Sequence, residues 1–355
     1  MRILLYKDNL STGRGADHAV CSLANGLAER GYNITVVTCP QEKPLSFTIS
    51  DGVQLVYLSR KEIRDFSATF DLCIAAGPNE IMDLTSEGKC RPPCKTITEL
   101  LVYPKGFFKW KRFIRNFRLK RAFNLSDVLQ IQCPSYATYV RSFAPTPTIV
   151  TIGNWAEATT SVNPINTSSA TPSTKKVILY PAAVNKLKNQ SVLIKGFSRI
   201  AKEFPDWELH LYGRHHKTYG PTCVNLVKAA GLQDQIKFFD FTDDLASVYR
   251  QANILAYPSL LEGFPLAMLE GMCFNLPVIA VDKLPAVHDM VLHNQTGLVA
   301  KNSPSAIAAS LRKLMSDDAY RRKLGQQAHD HCITYFSRDQ ILNQWEALIQ
   351  TMISA

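Results

Sequence analysis

The feature that most constrains this chain is a repeated alternation of short apolar runs with amphipathic stretches. Strand-like runs fall at 3–6, 34–38, 53–57, 72–75, 96–99 and 128–132, and again at 177–180, 208–212, 236–239, 254–257 and 278–281. Helical stretches lie between most of them, at 17–30, 135–143, 190–204, 221–230, 245–251 and 265–274. Such alternation predicts right-handed βαβ units, hence parallel sheets with helices on both faces. Residues 159–174, TTSVNPINTSSATPST, have no apolar period and read as an exposed connector. The 355 residues suit two domains. The expected division is a Rossmann-like N-terminal domain at 1–158, a linker at 159–174, a second Rossmann-like domain at 175–336 and a terminal helix at 337–355. That helix places Ile341, Trp345, Leu348 and Met352 on one face.

Hydrophobic residues at 46% and charged residues at 20% exclude a disordered chain. The apolar runs are too short to span a bilayer, which takes roughly 20 residues. The start, MRILLYKDN, has only a four-residue apolar run, 3–6, before Lys7, as a first strand would and a secretory signal would not. Nine cysteines are scattered; only Cys90 and Cys94 are close, with no second Cys/His pair at ligand spacing. The expectation is therefore no metal, reduced thiols and a cytoplasmic protein.

Charge is unevenly placed. Lys and Arg number 40 against 30 Asp and Glu, a net +10, and the segment 105–121, KGFFKWKRFIRNFRLKR, alone has eight cations and no acid. Five aromatics interleave with the cations, a pattern that reads as a basic-aromatic amphipathic helix on an anionic membrane surface. The residues expected to touch lipid are Lys105, Phe108, Lys109, Trp110, Lys111, Arg112, Arg115 and Arg118. Nucleic acid is the rival partner, but no nucleic-acid fold signature accompanies the patch, so none is expected.

Two loops carry candidate chemistry. In the first, Gly13 and Gly15 follow a strand and open a helix, where backbone can approach a ligand. Asp17 and His18 stand where a dinucleotide fingerprint would continue, and no acid closes the next strand, which disfavours a dinucleotide. In the second, PSLLEGFPLAMLE at 258–270, a strand runs into a loop and a helix with Pro265 expected in its first turn. The N–H groups of Gly263, Phe264 and Leu266 are expected to be free for an anion such as diphosphate. Glu262 and Glu270 suit sugar or ribose hydroxyls, since a carboxylate accepts two bonds from a diol. No Asp-x-Asp triplet occurs, which agrees with metal-independent handling of the diphosphate. Asp243-Asp244 and Asp317-Asp318 read as helix N-caps. His329 and His331 read as surface residues.

The motif EGFPLAMLE resembles the E-x7-E signature of glycosyltransferase family 4, retaining enzymes of the GT-B fold. VILYPAAVNKLKNQSVLIKGFSRIAKEFPDWELHLYG resembles the opening of that family's nucleotide-binding domain, with Lys188 at the place of its phosphate-binding lysine. LPVIAVDKLPAVHDMVLHNQTGLV resembles the segment after the glutamates, and GADHAVCSLANGLAERGYNITVVT the N-terminal glycine loop and helix. The resemblance implies two facing Rossmann-like domains and a terminal helix that returns to the first. It also implies a nucleoside-diphosphate sugar as donor, a UDP-sugar first among them though the base stays open, and no cofactor. Donor contacts would come from Lys188, Gly263, Phe264, Pro265, Leu266 and Glu270, with Glu262 and Lys188 as the catalytic pair. Ala182 and Ala183 occupy the usual place of a family arginine, so Arg214, or alternatively Lys186, is the expected substitute cation. Glu99 stands near a usual histidine, and joins Gly13, Gly15, Asp17 and His18 on the acceptor side. The expected activity is retaining sugar transfer to a lipid-linked saccharide or polysaccharide precursor, by a protein peripheral on the cytoplasmic face of a membrane. Two alternatives stay open: a GT-B nucleotide-sugar epimerase, and a degenerate fold that binds nucleotide without chemistry.

Overall fold

The apolar runs become two parallel sheets in the computed structural model of the chain. The structure describes residues 1–13, 15–85, 91–101, 112–144, 148–156, 175–242 and 244–354, with residues 112–115 described by backbone alone. The expected linker at 159–174 lies outside the described residues, as does the basic segment from 105 to 111. The chain divides into two units: Met1–Asn154 with Arg338–Ala355, and Trp155–Ser337.

The N-terminal unit contains β1 (Arg2–Tyr6), α1 (Gly15–Glu29), β2 (Asn33–Thr38), β3 (Val53–Tyr57), α2 (Arg60–Ser67), β4 (Leu72–Ala75) and α3 (Pro78–Asp83). It continues through β5 (Lys95–Leu100), α4 (Arg112–Asn124), β6 (Val128–Ile131), α5 (Ser135–Arg141) and β7 (Thr148–Thr151). Its sheet runs β3-β2-β1-β4-β5-β6-β7, and every paired strand is parallel. Strands β1, β4 and β6 are apolar and buried along nearly their whole length, as helices on both faces require.

The C-terminal unit contains β8 (Lys176–Pro181), α6 (Gln190–Ser198), β9 (Trp207–Tyr212), α7 (Tyr219–Ala230), β10 (Ile236–Phe239), α8 (Leu245–Gln251) and β11 (Ile254–Tyr257). Then follow α9 (Leu266–Cys273), β12 (Val278–Val281), α10 (Pro285–Met290), β13 (Gly297–Ala300), α11 (Pro304–Ser316) and α12 (Asp318–Tyr335). Its sheet runs β10-β9-β8-β11-β12-β13, again parallel. The last helix, α13 (Arg338–Ser354), belongs to the N-terminal unit. Ile341, Leu342, Trp345, Leu348, Ile349 and Met352 are buried there, each worth about 1.5–3 kcal/mol by area. Gly26 of α1 allows the approach, because a Cβ at that position would come within 2.8 Å of Leu342 Cδ2. Arg30 pins the helix from the side, donating to Asp339 at 2.8 Å and Glu346 at 2.6 Å.

Several expectations need correction. The expected helix 190–204 ends at Ser198, followed by a separate 3-10 turn at Ala201–Glu203. Ser198 Oγ donates to Ile194 O at 2.7 Å, a back-bond that competes with helix continuation. Asp244 and Asp317 cap α8 and α12 by accepting from Ser247 N and Tyr320 N, while Asp243 lies outside the described residues. The reduced-thiol expectation fails at one pair: Cys273 and Cys332 form a disulfide that joins the end of α9 to α12. His331 is half-buried against Tyr335 and Phe336, and burial lowers its imidazole. The disulfide sits where α12 packs closely on the loop after α9. Gly325 meets the Asn275 carbonyl oxygen there, with no room for a Cβ. Gly325→Ala is expected to cost about 2–3 kcal/mol. Urea unfolding would show this as a lower midpoint at unchanged slope, and an unshifted midpoint would refute it.

Candidate functional site

In an open parallel sheet, ligands bind beyond the carboxyl ends of strands at the point where chain order reverses. In the C-terminal unit that point lies between β8 and β11, because β8 leads outward to β9 and β11 leads the other way to β12. The loops leaving these two strands carry Lys188 and Glu262, and the structure brings the two side chains together. Lys188 Nζ lies 2.5 Å from Glu262 Oε1. The same oxygen accepts from Ser259 Oγ at 2.5 Å and from Tyr257 OH at 3.0 Å. Both side chains are partly exposed, Lys188 at 23% and Glu262 at 12%, so a ligand can reach the pair.

Both loops are held rigidly. Asn185 Oδ1 accepts from Leu187 N and Lys188 N at 2.9 and 3.1 Å, and Lys188 O accepts from Tyr180 OH at 2.9 Å. Leu260 N donates to Leu187 O at 2.8 Å, and Asn189 Nδ2 to Pro258 O at 3.2 Å, so the loops are joined. Asn189 begins α6 in the left-handed region, φ 60°, a conformation asparagine tolerates better than most residues.

Glu270 lies in α9, about one turn beyond its first residue, Leu266. Burial raises its carboxyl, and Tyr249 OH, donating from 2.8 Å, partly reverses that rise. Tyr249 also stacks on Phe274 at 5.3 Å between ring centroids. The expected anion cradle is narrower than the sequence implied. Pro265 is the N-cap, not a first-turn residue, and Leu266 N donates to Phe264 O at 2.9 Å, so Leu266 has no free N–H. Phe264 packs on Phe336 at 6.1 Å, which fixes the loop beside Gly263. Arg214 is exposed, with its guanidinium 5.5 Å from the Phe241 ring centroid. Its carbonyl accepts from Val184 N at 2.9 Å, which places it beside the Ala182-Ala183 turn.

The N-terminal unit has its own switch point, between β1 and β4. The loop after β1 carries Gly13, in the left-handed region at φ 65° and bonded through its N–H to Ser46 Oγ at 2.8 Å. Gly15 begins α1, and Asp17 folds back from its first turn to accept from Thr12 N and Oγ1 at 2.8 and 2.7 Å. Asp17 is thus a buried loop-fastener. His18 lies edge-on to Phe47 at 5.0 Å. Glu99 is the penultimate residue of β5 and is 3% exposed.

Sequence reasoning missed a charged network at this edge. Lys7 Nζ lies 3.2 Å from Asp8 and 3.3 Å from Glu80. Arg60 reaches Asp8 at 3.1 Å and Asp83 at 3.7 Å, and Tyr6 OH donates to Asp83 at 2.8 Å. Burial raises Glu80, aided by Asp8 and opposed by Lys7. Burial also raises Glu99, to about 8, with Glu80 adding to the rise and Lys7 opposing it. In the second unit, Tyr257 and Ser259 were missed, although Tyr-Pro-Ser three to five residues before Glu262 was the available signal. Among the described residues, no group of three His, Cys, Asp or Glu is placed to hold a metal ion.

Two parallel six- and seven-stranded sheets, with a terminal helix returned to the first unit, define the GT-B class. Solved structures show the same fold. Sucrose-phosphate synthase from Thermosynechococcus elongatus superposes with a TM-score of 0.86 at 18% identity, covering 99% of each chain. Anabaena HepE in complex with UDP gives 0.81 at 15% identity, covering 99% of this chain and all of that one. Residues 163–331, just under half of the chain, match the family model described as glycosyl transferases group 1. An uncharacterized glycosyltransferase of Haemophilus influenzae is 22% identical over 96% of this chain and 98% of its own length. The D-inositol 3-phosphate glycosyltransferase of Corynebacterium glutamicum is 32% identical over 45% of this chain. The match spans only 40% of that relative's own length.

Proposed function

We propose that this chain is a retaining glycosyltransferase that needs no metal and moves a sugar from a nucleoside-diphosphate sugar to an acceptor hydroxyl. The observation that carries the reading is the Lys188–Glu262 pair at the switch point of the sheet whose segment matches the group 1 glycosyltransferase model. Breaking the bond between sugar and diphosphate builds negative charge on the leaving phosphate. A fixed ammonium and the start of α9 stabilise that charge. In the unliganded chain Glu262 neutralises Lys188, so an arriving diphosphate competes for the ammonium while sugar hydroxyls turn to the carboxylate. Glu270 takes ribose hydroxyls, and Arg214 adds charge beside the small Ala182-Ala183 turn. A UDP-sugar is the donor we favour, a choice supported by the UDP in the HepE complex.

The acceptor we propose is a lipid-linked saccharide or polysaccharide precursor, bound on the carboxyl edge of the N-terminal sheet near Gly13, Asp17, His18 and Glu99. A membrane surface is supported by α4, where Phe117 is 63% exposed beside exposed Arg118, Lys120 and Arg121. Among the described residues, no helix is long and apolar enough to cross a membrane.

A thermal-shift panel of nucleotide sugars, followed by product analysis with and without lipid-linked acceptors, tests this reading. One nucleotide sugar is expected to raise Tm, and transfer is expected only with acceptor. A panel without any shift would remove the donor reading, and donor conversion without acceptor would replace transfer by isomerisation. For the membrane, neutralising Lys109, Lys111, Arg112 and Arg115 is expected to weaken sedimentation with anionic liposomes about 10²- to 10³-fold, from ~1 kcal/mol per cation. Binding indifferent to the substitutions and to salt would sink that part.

A further inference from the structure

The carboxyl edge of the N-terminal sheet presents hydrogen-bond acceptors in excess of donors. The strand registers set Lys7, Ala76, Glu99 and Gln130 side by side: Tyr6 pairs with Ala75, Ala75 with Thr98, and Glu99 with Gln130. Neighbours in a parallel register project to the same face of the sheet. Glu99 Oε2, Gln130 Oε1 and Gln132 Oε1 are all buried and have no hydrogen-bond partner among the described residues. Gln130 Nε2 is committed to Ile152 O, so that side chain cannot turn over without losing a bond. Three orphaned buried polar atoms, two of them amide oxygens that can only accept, are costly unless a group that both donates and accepts completes them.

We propose that Glu99, with Gln130 and Gln132, forms a subsite for hydroxyl groups of a neutral sugar, and that Glu99 is a specificity-determining residue for the acceptor. The proposal rests on the transferase reading, since it assigns the chemical class of that acceptor. Hydroxyls supply the missing donors and also accept. An anionic group supplies none, and would meet Glu80 and Asp8 as well. Burial and the neighbouring Glu80 keep Glu99 neutral through pH 7, and a neutral carboxyl can both donate to and accept from a hydroxyl. Among the described residues Lys7 is the cation that acts on it, and that ammonium is engaged by Glu80 and Asp8. Side-chain exposure rises from 6% at Glu80 through 14% at Lys7 to 27% at Asp8, so entry is from the β1 side.

The test is direct binding to the whole chain, by saturation-transfer NMR and calorimetry. The probes are the methyl glycosides of glucose, galactose, mannose and N-acetylglucosamine, with glucose 1-phosphate as the charged comparison. A neutral glycoside should bind the wild type and outcompete the phosphate. Glu99→Leu should weaken that binding about tenfold or more, as expected for lost hydrogen bonds in a buried site. Glu99→Gln, which keeps size and neutrality, should bind within about threefold at pH 7 and, unlike the wild type, should hold its affinity to pH 9. Failure of all four glycosides, preference for the phosphate, or equal binding by Glu99→Leu would overturn the proposal. The Tm shift with nucleotide sugar, read on the same variants, keeps the two readings apart. Its loss in the wild type removes the donor reading, and its persistence with no glycoside effect removes only this one.

Discussion

Glu262→Gln should leave nucleotide binding intact and lower kcat for sugar transfer about 10- to 10²-fold, the equivalent of ~1.5–3 kcal/mol for a charge-assisted bond. The split follows from the geometry. Glu262 Oε1 accepts from Lys188, Ser259 and Tyr257 at 2.5, 2.5 and 3.0 Å, and its charge offsets the ammonium. Glutamine keeps an acceptor oxygen but removes the charge. Lys188 is then freer to meet a diphosphate, so UDP should bind as tightly as before or more so. The carboxylate proposed to face the sugar is lost, and with it the interaction expected to grow as the bond to the leaving phosphate breaks. Lys188→Ala should do the reverse, weakening UDP binding about 10-fold or more. Calorimetry with UDP and steady-state turnover would separate the two. If Glu262→Gln turns over within threefold of wild type, Glu262 has no part in the chemistry.

The second large effect is on stability. Glu99 stands at about 8 in the folded chain against an ordinary 4.5. Between those values the folded state holds a proton that the unfolded state has released. Stability therefore falls as pH rises from about 4.5 to about 8, and is level beyond. Glu99→Gln does not titrate and escapes that loss. Relative to wild type it should gain with rising pH, by up to roughly 4 kcal/mol by pH 8–9. Urea unfolding of both proteins at pH 5, 7 and 9 would read the divergence. Parallel stability curves would mean that Glu99 is ionised in the native protein and would remove the stated cause. The same measurement bears on the sugar subsite, because a Glu99 ionised at pH 7 is a poor donor to a hydroxyl.

The strands were legible because apolar runs buried on both faces leave little else for the chain to do. β1, β4, β10, β11 and β12 lie within a residue or so of where the runs place them. β7 and β13 were not read: β7 is half-exposed, with no apolar run to mark it, and β13 opens on Gly297, a residue depleted in strands. α3 was missed because six residues cannot show a helical period. It nevertheless delivers Glu80 to Lys7. The terminal helix was legible from its apolar face, but Arg30 as its fastener was not, because Asp339 and Glu346 lie more than 300 residues away in the chain.

The site divides in the same way. Glu262 and Glu270 could be found in the sequence because both lie in one strand–loop–helix passage, and local spacing is visible in a linear chain. Tyr257 and Ser259 lie in that passage too, yet nothing local says that their hydroxyls turn to Glu262 and not to solvent. The pairing of Glu262 with Lys188 spans 74 residues and exists because β8 and β11 are neighbours at a chain reversal. The Lys7–Glu80–Glu99 cluster likewise depends on β1, β4 and β5 standing in register and on α3 bringing Glu80 to their ends. Alternating apolar and amphipathic segments, a property of each short stretch, were enough to determine two parallel α/β sheets and the loops at their carboxyl ends. Which charges meet there, which carboxyl keeps its proton and which acceptors lack donors were decided only by the tertiary structure. Those outcomes depend on strand order and on burial by distant segments, and neither belongs to any stretch of sequence alone.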